Sequence, residues 1–149
     1  MHSKIIIFSG PYPIDQLGAT RTIDINLAKS MSEIGYNVTL ISCGKITIQN
    51  VKYIEIKHPL KFSFFDRVIN KIGFKKYPQL KRNRKVDQWV SNYLKANNEL
   101  IIDKTIFIGR AAMSLKSFTE AKKQGALIML HSSWMHPFTQ QDILQKEYD

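Results

Sequence analysis

The sequence predicts an α/β protein in which a parallel sheet carries helices on both faces. Short, continuously apolar segments such as KIIIFS at residues 4–9 are typical of strands that are covered on both faces. Segments with helical spacing alternate with these strands, and Gly35 and Gly125 each stand where such a segment ends. A strand, helix, strand order makes neighbouring strands parallel through right-handed crossovers.

Each element follows from a local pattern. We predict further strands at residues 37–42, 51–56, 105–108 and 126–130. The first helix has an apolar stripe formed by Ile23, Leu27, Met31 and Ile34. Two helical segments lie between residues 60 and 98, Ser114 caps another helix, and Thr139 with Asp142 resembles the capping box of a last one. Together these elements predict a Rossmann-like parallel sheet with helices on both faces.

The last predicted helix has no termination signal. It begins at Thr139 and still continues at Asp149, without a Gly, Asn or Pro to end it. We therefore expect residues 1–149 to form a single Rossmann-like domain that is the first part of a longer enzyme.

The net charge of +10 comes mainly from one region. Residues 57–95 hold 11 of the 22 Lys and Arg residues but only two of the 12 acids, which indicates an anionic ligand or surface.

The single cysteine, Cys43, excludes an intramolecular disulfide and fits a reducing compartment. No apolar segment approaches the roughly 18 residues that span a membrane, and residues 1–9 do not resemble a signal peptide. We expect a cytoplasmic protein.

The loop after the first strand, residues 10–19, lies where related folds bind pyrophosphate. It has neither a G-x-G-x-x-G pattern nor a P-loop. Gly18 would instead let backbone N–H groups at the start of the first helix approach an anion, and Arg21 would add a charged hydrogen bond. The alternative is an ordinary helix start with a glycine in the turn.

Polar residues also follow the last two predicted strands. His131, Ser132, Ser133 and His136 follow the fifth strand, where an imidazole can exchange a proton or bind a sugar hydroxyl. Metal binding is disfavoured because no third ligand is evident nearby. The alternative is that these residues only cap the strand and the last helix.

Arg110 ends the fourth predicted strand. Its guanidinium suits a phosphate or carboxylate ligand, which we favour over a structural ion pair with a neighbouring acid.

A basic segment with interleaved aromatic residues covers residues 60–85. Phe65, Val68, Ile69 and Ile72 form a helical stripe, and its end and the next helix carry Lys71, Lys75, Lys76, Lys81, Arg82, Arg84 and Lys85. This combination suits an anionic membrane surface, where each cation contributes about 1 kcal/mol. The alternative is a solvated face whose aromatic residues pack on the sheet. Nucleic acid is disfavoured because no reading module accompanies the patch.

These residues make the chain resemble the N-terminal domain of family 4 glycosyltransferases of the GT-B type. The resemblance spans nearly the whole chain and rests on KIIIFSGPYP, LGATRTIDINLAKSMSEIGYNVTLIS, RAAMSLKSFTEAKKQGALIML and HSSWMHPFTQQDILQKEY. In related enzymes a histidine precedes a helix whose pattern matches His136, Gln140, Leu144, Glu147 and Tyr148. Other members place the functional histidine directly after the strand, which matches His131, so both remain catalytic candidates.

The resemblance implies a retaining, metal-independent transfer of a sugar from a nucleotide-sugar donor to a glycan or lipid-linked acceptor, in cell-surface polysaccharide synthesis. The N-terminal domain of such enzymes shapes the acceptor site, and a C-terminal domain, absent from residues 1–149, holds most of the nucleotide. We therefore expect no cofactor beyond the nucleotide-sugar co-substrate, and no turnover by this domain alone.

Within this family reading, Gly18 and Arg21 lie near the donor phosphates, while Arg110, Ser132 and Ser133 contribute to substrate binding. The basic segment would place the enzyme peripherally on the inner membrane leaflet. The alternative from another class is a non-catalytic peripheral membrane or anion-binding module on a Rossmann-like scaffold. A different Rossmann-like enzyme that binds a nucleotide is a third reading.

Overall fold

A computed structural model describes residues 3–13, 19–57, 68, 76–102, 104–110 and 113–131. The strands within these ranges are β1 (Lys4–Pro13), β2 (Asn37–Cys43), β3 (Val51–Glu55), β4 (Ile106–Arg110) and β5 (Leu127–His131). The helices are α1 (Ala19–Glu33), α2 (Lys76–Ala96) and α3 (Leu115–Lys123), and a short 3-10 turn lies at Asn98–Leu100.

The strands form a parallel sheet in the order β3-β2-β1-β4-β5. Strand β1 pairs with β2 and β4, β2 with β3, and β4 with β5, each in parallel. Because the order reverses direction between β1 and β4, the carboxyl ends of these strands flank a topological switch point, where open α/β sheets bind ligands. The predicted fold class, a Rossmann-like parallel sheet with helices on both faces, is confirmed.

The sheet contributes to a separate core on each face. Ile6, Phe8 and Phe107 belong to the core that α2 and α3 cover. Ile5 and Ile7 belong to the core that α1 covers. Because successive residues of a strand point to opposite faces, the continuous apolar segment at the start of β1 contributes to both cores.

The helix ends follow the predicted glycine signals. Gly35 and Gly125 adopt left-handed φ values of 101° and 97°. The N–H of the residue after each glycine donates to a carbonyl five residues earlier, Tyr36 to Met31 and Ala126 to Ala121, both at 3.0 Å. This arrangement satisfies carbonyls that the helix end would otherwise leave without a partner.

The strand ends differ from the prediction. β1 continues to Pro13, beyond the predicted end at residue 9, because its register shifts after Phe8 and pairing resumes between Pro13 and Cys43. β5 includes His131 as its last residue, so this histidine is held by the sheet rather than by the following loop.

The apolar stripe predicted for α1 is partly wrong. Ile23 and Ile34 are 44% and 69% exposed, whereas Asp24 and Ala28 are 1% and 0% exposed. The helix turns Asp24 inward because this carboxylate finds partners inside the protein, and a buried carboxylate is tolerated only when it is paired and hydrogen bonded.

Two predicted helices fall outside the described residues: the one from Thr139 and, apart from the helical Val68, the one around residues 65–72. Among the helices that the structure describes, none is long and apolar enough to cross a bilayer.

Candidate functional site

Arg110 and His131 lie side by side at the carboxyl edge of the sheet. Arg110 ends β4, His131 ends β5, and the two residues are register partners. Arg110 lies two residues after Ile108, and His131 lies two residues after Met129, the register partner of Ile108. Because alternate residues of a strand point to the same face, both side chains share the face of Ile108, which α1 covers.

Asp24 reaches this edge from α1. Arg110 donates to Oδ2 of Asp24 through Nε at 3.2 Å and Nη2 at 2.6 Å. Nδ1 of His131 lies 3.3 Å from Oδ1 of Asp24. Ser9 of β1 donates its hydroxyl to Oδ2 at 2.5 Å. These four residues, Ser9, Asp24, Arg110 and His131, are called the Asp24 cluster below.

The Asp24 cluster is buried at its centre and open at His131. The side chain of Asp24 is 1% exposed and that of Arg110 is 10% exposed, compared with 23% for His131. Burial of a carboxylate costs several kcal/mol unless charged and polar partners replace its water, as Arg110 and Ser9 do here. An incoming molecule therefore reaches this cluster through the imidazole.

Asp24 determines how His131 presents its ring. A carboxylate oxygen only accepts hydrogen bonds, so Nδ1 of His131 must be the donor in this contact. The contact therefore favours the neutral tautomer that carries its proton on Nδ1. Nε2 then keeps its lone pair and can accept a hydrogen bond or a proton from a hydroxyl group. With a neutral imidazole, the charges of Arg110 and Asp24 cancel within the cluster.

Helix α3 supports the backbone at the end of β4. Ser114 precedes α3 and accepts a hydrogen bond from the backbone N–H of Arg110 at 2.9 Å. A Cβ on Gly109 would lie 2.6 Å from both Cε1 of Phe118 and Oγ of Ser114. The close approach of α3 to the strand end therefore requires glycine at this position.

Ser114 stands at the N-cap position of α3, as predicted, but the side chain that accepts hydrogen bonds from the first turn is that of Asp87 in α2. Its Oδ2 accepts from the backbone N–H of Lys116 at 2.7 Å. Its Oδ1 accepts from the backbone N–H and the hydroxyl of Ser117, at 2.9 and 2.7 Å. Because N–H groups in the first helical turn have no partner within the helix, a carboxylate there is favourable. Asp87 thereby joins α2 to the first turn of α3.

A groove of about 460 Å³ lies between α2 and α3, and we call it the α2–α3 groove. Its lining residues combine cations, amides and one aromatic ring: Arg84, Lys85, Lys116, Gln88, Asn92 and Trp89. No carboxylate is among these lining residues. The groove is therefore positively charged, and its polar side chains can both donate and accept hydrogen bonds.

Among the described residues, Cys43 and Lys4 show pKa shifts that burial dominates. Burial raises the pKa of the Cys43 thiol to about 11, and the nearby charges of Arg82 and Glu55 act in opposite directions on it. Burial also lowers the pKa of Lys4, and the positive charge of Lys52 lowers it further.

The structure brings together two of the predicted site residues, Arg110 and His131. Arg110 forms the ion pair that the sequence left open as the alternative to ligand binding, so its ligand role stays a prediction. Gly18, Ser132, Ser133 and His136 lie outside the described residues, as does the side chain of Arg21. In the described part of the chain, no three His, Cys, Asp or Glu side chains gather as a metal site would need.

The structure divides the predicted basic patch. Lys71 and Lys75 lie outside the described residues, and so does the side chain of Lys76. Lys81 is exposed, Arg82 is half-buried, and Arg84 and Lys85 line the α2–α3 groove. The cations of α2 thus face different surroundings although they are adjacent in the sequence.

Asp24 and Ser9 are site residues that were not predicted from the sequence. Asp24 precedes Ala28 by four residues and Met31 by seven, so an acid occupies an apolar helical stripe, and this signal could have identified it. Nothing in the sequence distinguishes Ser9, because its role depends on a helix that packs over it.

Comparison with protein-family models finds no match. Comparison with curated proteins finds none either. Among solved structures, the chain is similar to the C-terminal domain of a hydrogenase from Pyrococcus furiosus, with a TM-score of 0.53 and 15% identity over 87% of this chain and 91% of that chain. A second structure, the C-terminal domain of the coenzyme A biosynthesis bifunctional protein CoaBC, gives a TM-score of 0.35 and 12% identity over 97% and 93% of the two chains. The likeness to the hydrogenase domain supports the Rossmann-like α/β fold and nothing finer.

Proposed function

We propose that this chain is the acceptor-side domain of a glycosyltransferase. The enzyme moves a sugar from a nucleotide-sugar donor to a glycan or lipid-linked acceptor in cell-surface polysaccharide synthesis, with retention and without a metal. The family resemblance of the sequence supports this proposal. The structural observation that carries it is the contact of His131 with Asp24, at the sheet edge where α/β proteins bind ligands.

In the proposed reaction, His131 touches the substrate and its neighbours position it. Nε2 of His131 accepts a hydrogen bond from a sugar hydroxyl. Asp24 holds the ring through Nδ1, and Arg110 and Ser9 hold Asp24. Asp24 and Arg110 are therefore positioning residues. Their effect on transfer passes through the orientation of the imidazole.

The test compares the His131→Ala and His136→Ala variants of the full-length protein. Sugar transfer is measured with a panel of UDP- and GDP-linked hexoses and membrane glycan as acceptor. We expect His131→Ala to lower kcat by about 100-fold, the usual contribution of a proton-transferring side chain, while the circular dichroism melt stays unchanged. A loss confined to His136→Ala would move the role to that residue. Full activity in both variants would refute the role of both histidines. No sugar transfer by the wild-type protein would refute the proposed function.

Peripheral contact with an anionic inner leaflet is part of this proposal. Its support is the concentration of cations at the start of α2, including Lys76 and the exposed Lys81. In a vesicle sedimentation assay, binding should require anionic lipid, decrease with salt, and weaken in a Lys76→Gln, Lys81→Gln double variant. The matched control is Lys122→Gln with Lys123→Gln, two exposed cations at the end of α3. Equal binding to neutral and anionic vesicles would exclude a charge-driven membrane contact.

A further inference from the structure

We propose that the α2–α3 groove binds an acidic oligosaccharide whose sugar rings carry carboxylates. The lining of this groove has three cations, two amides and an indole within about 460 Å³, a volume in the range of small-ligand sites, about 300–1,000 Å³. Each type of side chain matches one part of such a ligand.

The cations match the carboxylates. Arg84 and Lys85 come from α2 and Lys116 comes from the first turn of α3, so positive charge borders the groove on two sides. Among the described residues, none of the three forms an ion pair with an acid. A guanidinium binds a carboxylate through two parallel hydrogen bonds, and an ammonium binds it as a point charge.

The amides of Gln88 and Asn92 match the sugar hydroxyls, and hydrogen bonds orient both amides. Lys116 donates from Nζ to Oε1 of Gln88 at 2.5 Å. Gln88 in turn donates from Nε2 to Oδ1 of Asn92 at 2.9 Å. The first hydrogen bond connects α3 to α2, and the second lies within α2. They leave the amide N–H groups of Asn92 as donors for a ligand that offers acceptor oxygens.

The indole of Trp89 matches the apolar face of a sugar ring. Trp89 lines the groove and stacks on Tyr93, with ring centroids 5.1 Å apart and an interplanar angle of 12°. Both rings also pack against buried residues of the core, which keeps the indole in place. A rigid aromatic surface beside hydrogen-bonding groups suits the alternating C–H and hydroxyl faces of a pyranose.

Two other anionic partners fit this groove less well. Single-stranded nucleic acid needs successive aromatic platforms for its bases, whereas Trp89 is the one aromatic residue in the described lining. A lipid surface binds cations that accompany apolar side chains, whereas these cations are accompanied by two amides.

The groove begins close to the candidate catalytic edge. α3 starts five residues after β4 ends, so Lys116 lies near the carboxyl edge of the sheet, while the Asp24 cluster occupies the opposite face. An oligosaccharide in the groove would extend toward that edge. Its identification as the acceptor rests on the proposed function, but its binding does not.

Isothermal titration calorimetry of the full chain with tetragalacturonate tests the proposal. The matched neutral ligand is the fully methyl-esterified tetramer, which has the same rings without the charges. At low salt we expect a dissociation constant of about 0.1–1 mM for the acid, as befits an open site, and binding at least tenfold weaker for the ester. Equal affinity for both ligands would overturn the proposal.

Variants locate the binding. The double variant Arg84→Gln, Lys85→Gln should weaken binding at least tenfold, and Asn92→Ala about threefold, with unchanged melting curves. Lys122→Gln with Lys123→Gln removes the same charge from the far end of α3 and should change affinity less than twofold. An equal loss in this control would show unspecific attraction and overturn the proposal. Displacement of the tetramer by a lower concentration of oligo-dT or of anionic vesicles would also overturn it.

Because calorimetry involves no sugar transfer, this experiment fails or succeeds independently of the histidine variants. Calorimetric binding without sugar transfer by the wild-type protein would leave a glycan-binding domain without the proposed activity.

Discussion

The carboxylate of Asp24 binds the guanidinium of Arg110 across 86 residues of sequence, with Nη2 of Arg110 2.6 Å from Oδ2. This ion pair joins α1 to the carboxyl end of β4 and lies almost entirely out of water. The ion pair adds to the hydrophobic core that Ala28 of α1 and Ile108 of β4 share, at the edge where His131 ends β5.

Replacement of Asp24 by Asn should destabilise the protein strongly. The change keeps the size of the side chain but leaves the buried Arg110 charge without its carboxylate, which costs about 3–5 kcal/mol. Urea denaturation followed by circular dichroism measures the loss. The control is Glu33→Gln, which breaks the Lys29–Glu33 pair on the same helix. Both side chains of that pair are 64% exposed, so its loss should cost less than about 0.5 kcal/mol. Similar losses in both variants would contradict a buried ion pair.

Gly109→Ala should destabilise the junction of β4 and α3. The added methyl group would lie 2.6 Å from Phe118 and Ser114, so α3 must move away and we expect a loss of about 2–3 kcal/mol.

At Gly125, the control position, a Cβ meets nothing within 4 Å, but the φ of +97° is unfavourable for alanine. Gly125→Ala should therefore cost about 1–2 kcal/mol through the backbone alone. Thermal denaturation of both variants separates crowding from backbone strain. Additional substitution of Phe118 by Leu should recover stability only in Gly109→Ala.

Asp87→Ala should loosen α3 without affecting the Asp24 cluster. The variant removes the acceptor for two backbone N–H groups and one hydroxyl at the start of α3, and we expect a loss of about 2 kcal/mol. Hydrogen exchange should accelerate at Lys116 and Ser117 more than in β4. Gln88→Ala, on the next residue of α2, keeps the cap and serves as control. Unchanged exchange in the first turn of α3 would show that Asp87 does not cap it.

Stability should decrease as the pH rises from about 9 to about 11, because the Cys43 thiol has a raised pKa. The unfolded chain ionises this thiol near its ordinary value of 9.0, whereas the folded protein keeps it neutral until about 11. Alkaline conditions therefore favour unfolding by at most about 3 kcal/mol from this group.

The measurement is the free energy of unfolding of wild type and Cys43→Ala at pH 8 and pH 10.5. Lysines and tyrosines titrate in both proteins, so the difference between their pH slopes isolates the thiol. Equal slopes would show that burial does not hold the thiol neutral. Ellman's reagent provides a second check, because the folded protein should react far more slowly than the unfolded chain at pH 8.

The sequence by itself determined the layered α/β architecture. A continuously apolar strand is stable only when other elements cover both faces of its sheet. Gly35 and Gly125 mark helix ends because a residue with a left-handed conformation is needed there. The sequence also indicated Arg110 and His131 as edge residues, since strand ends in parallel sheets lie on a common edge. These features could be predicted because the patterns that indicate them, apolar runs and helix-end glycines, each lie within one segment of the chain.

The tertiary structure alone decided the partners of these residues. The inward position of Asp24 depends on Arg110, which lies 86 residues away, and the same packing displaced Ile23 from the core-facing stripe. Asp87 supplies the side-chain acceptor for the first turn of α3, which Ser114 at the N-cap position does not, because α2 packs beside α3. Packing of α2 against α3 also decided that Arg84 and Lys85 line the groove. A local pattern gives the preference of a segment, but the free energy of burying a charge depends on groups that only folding brings together.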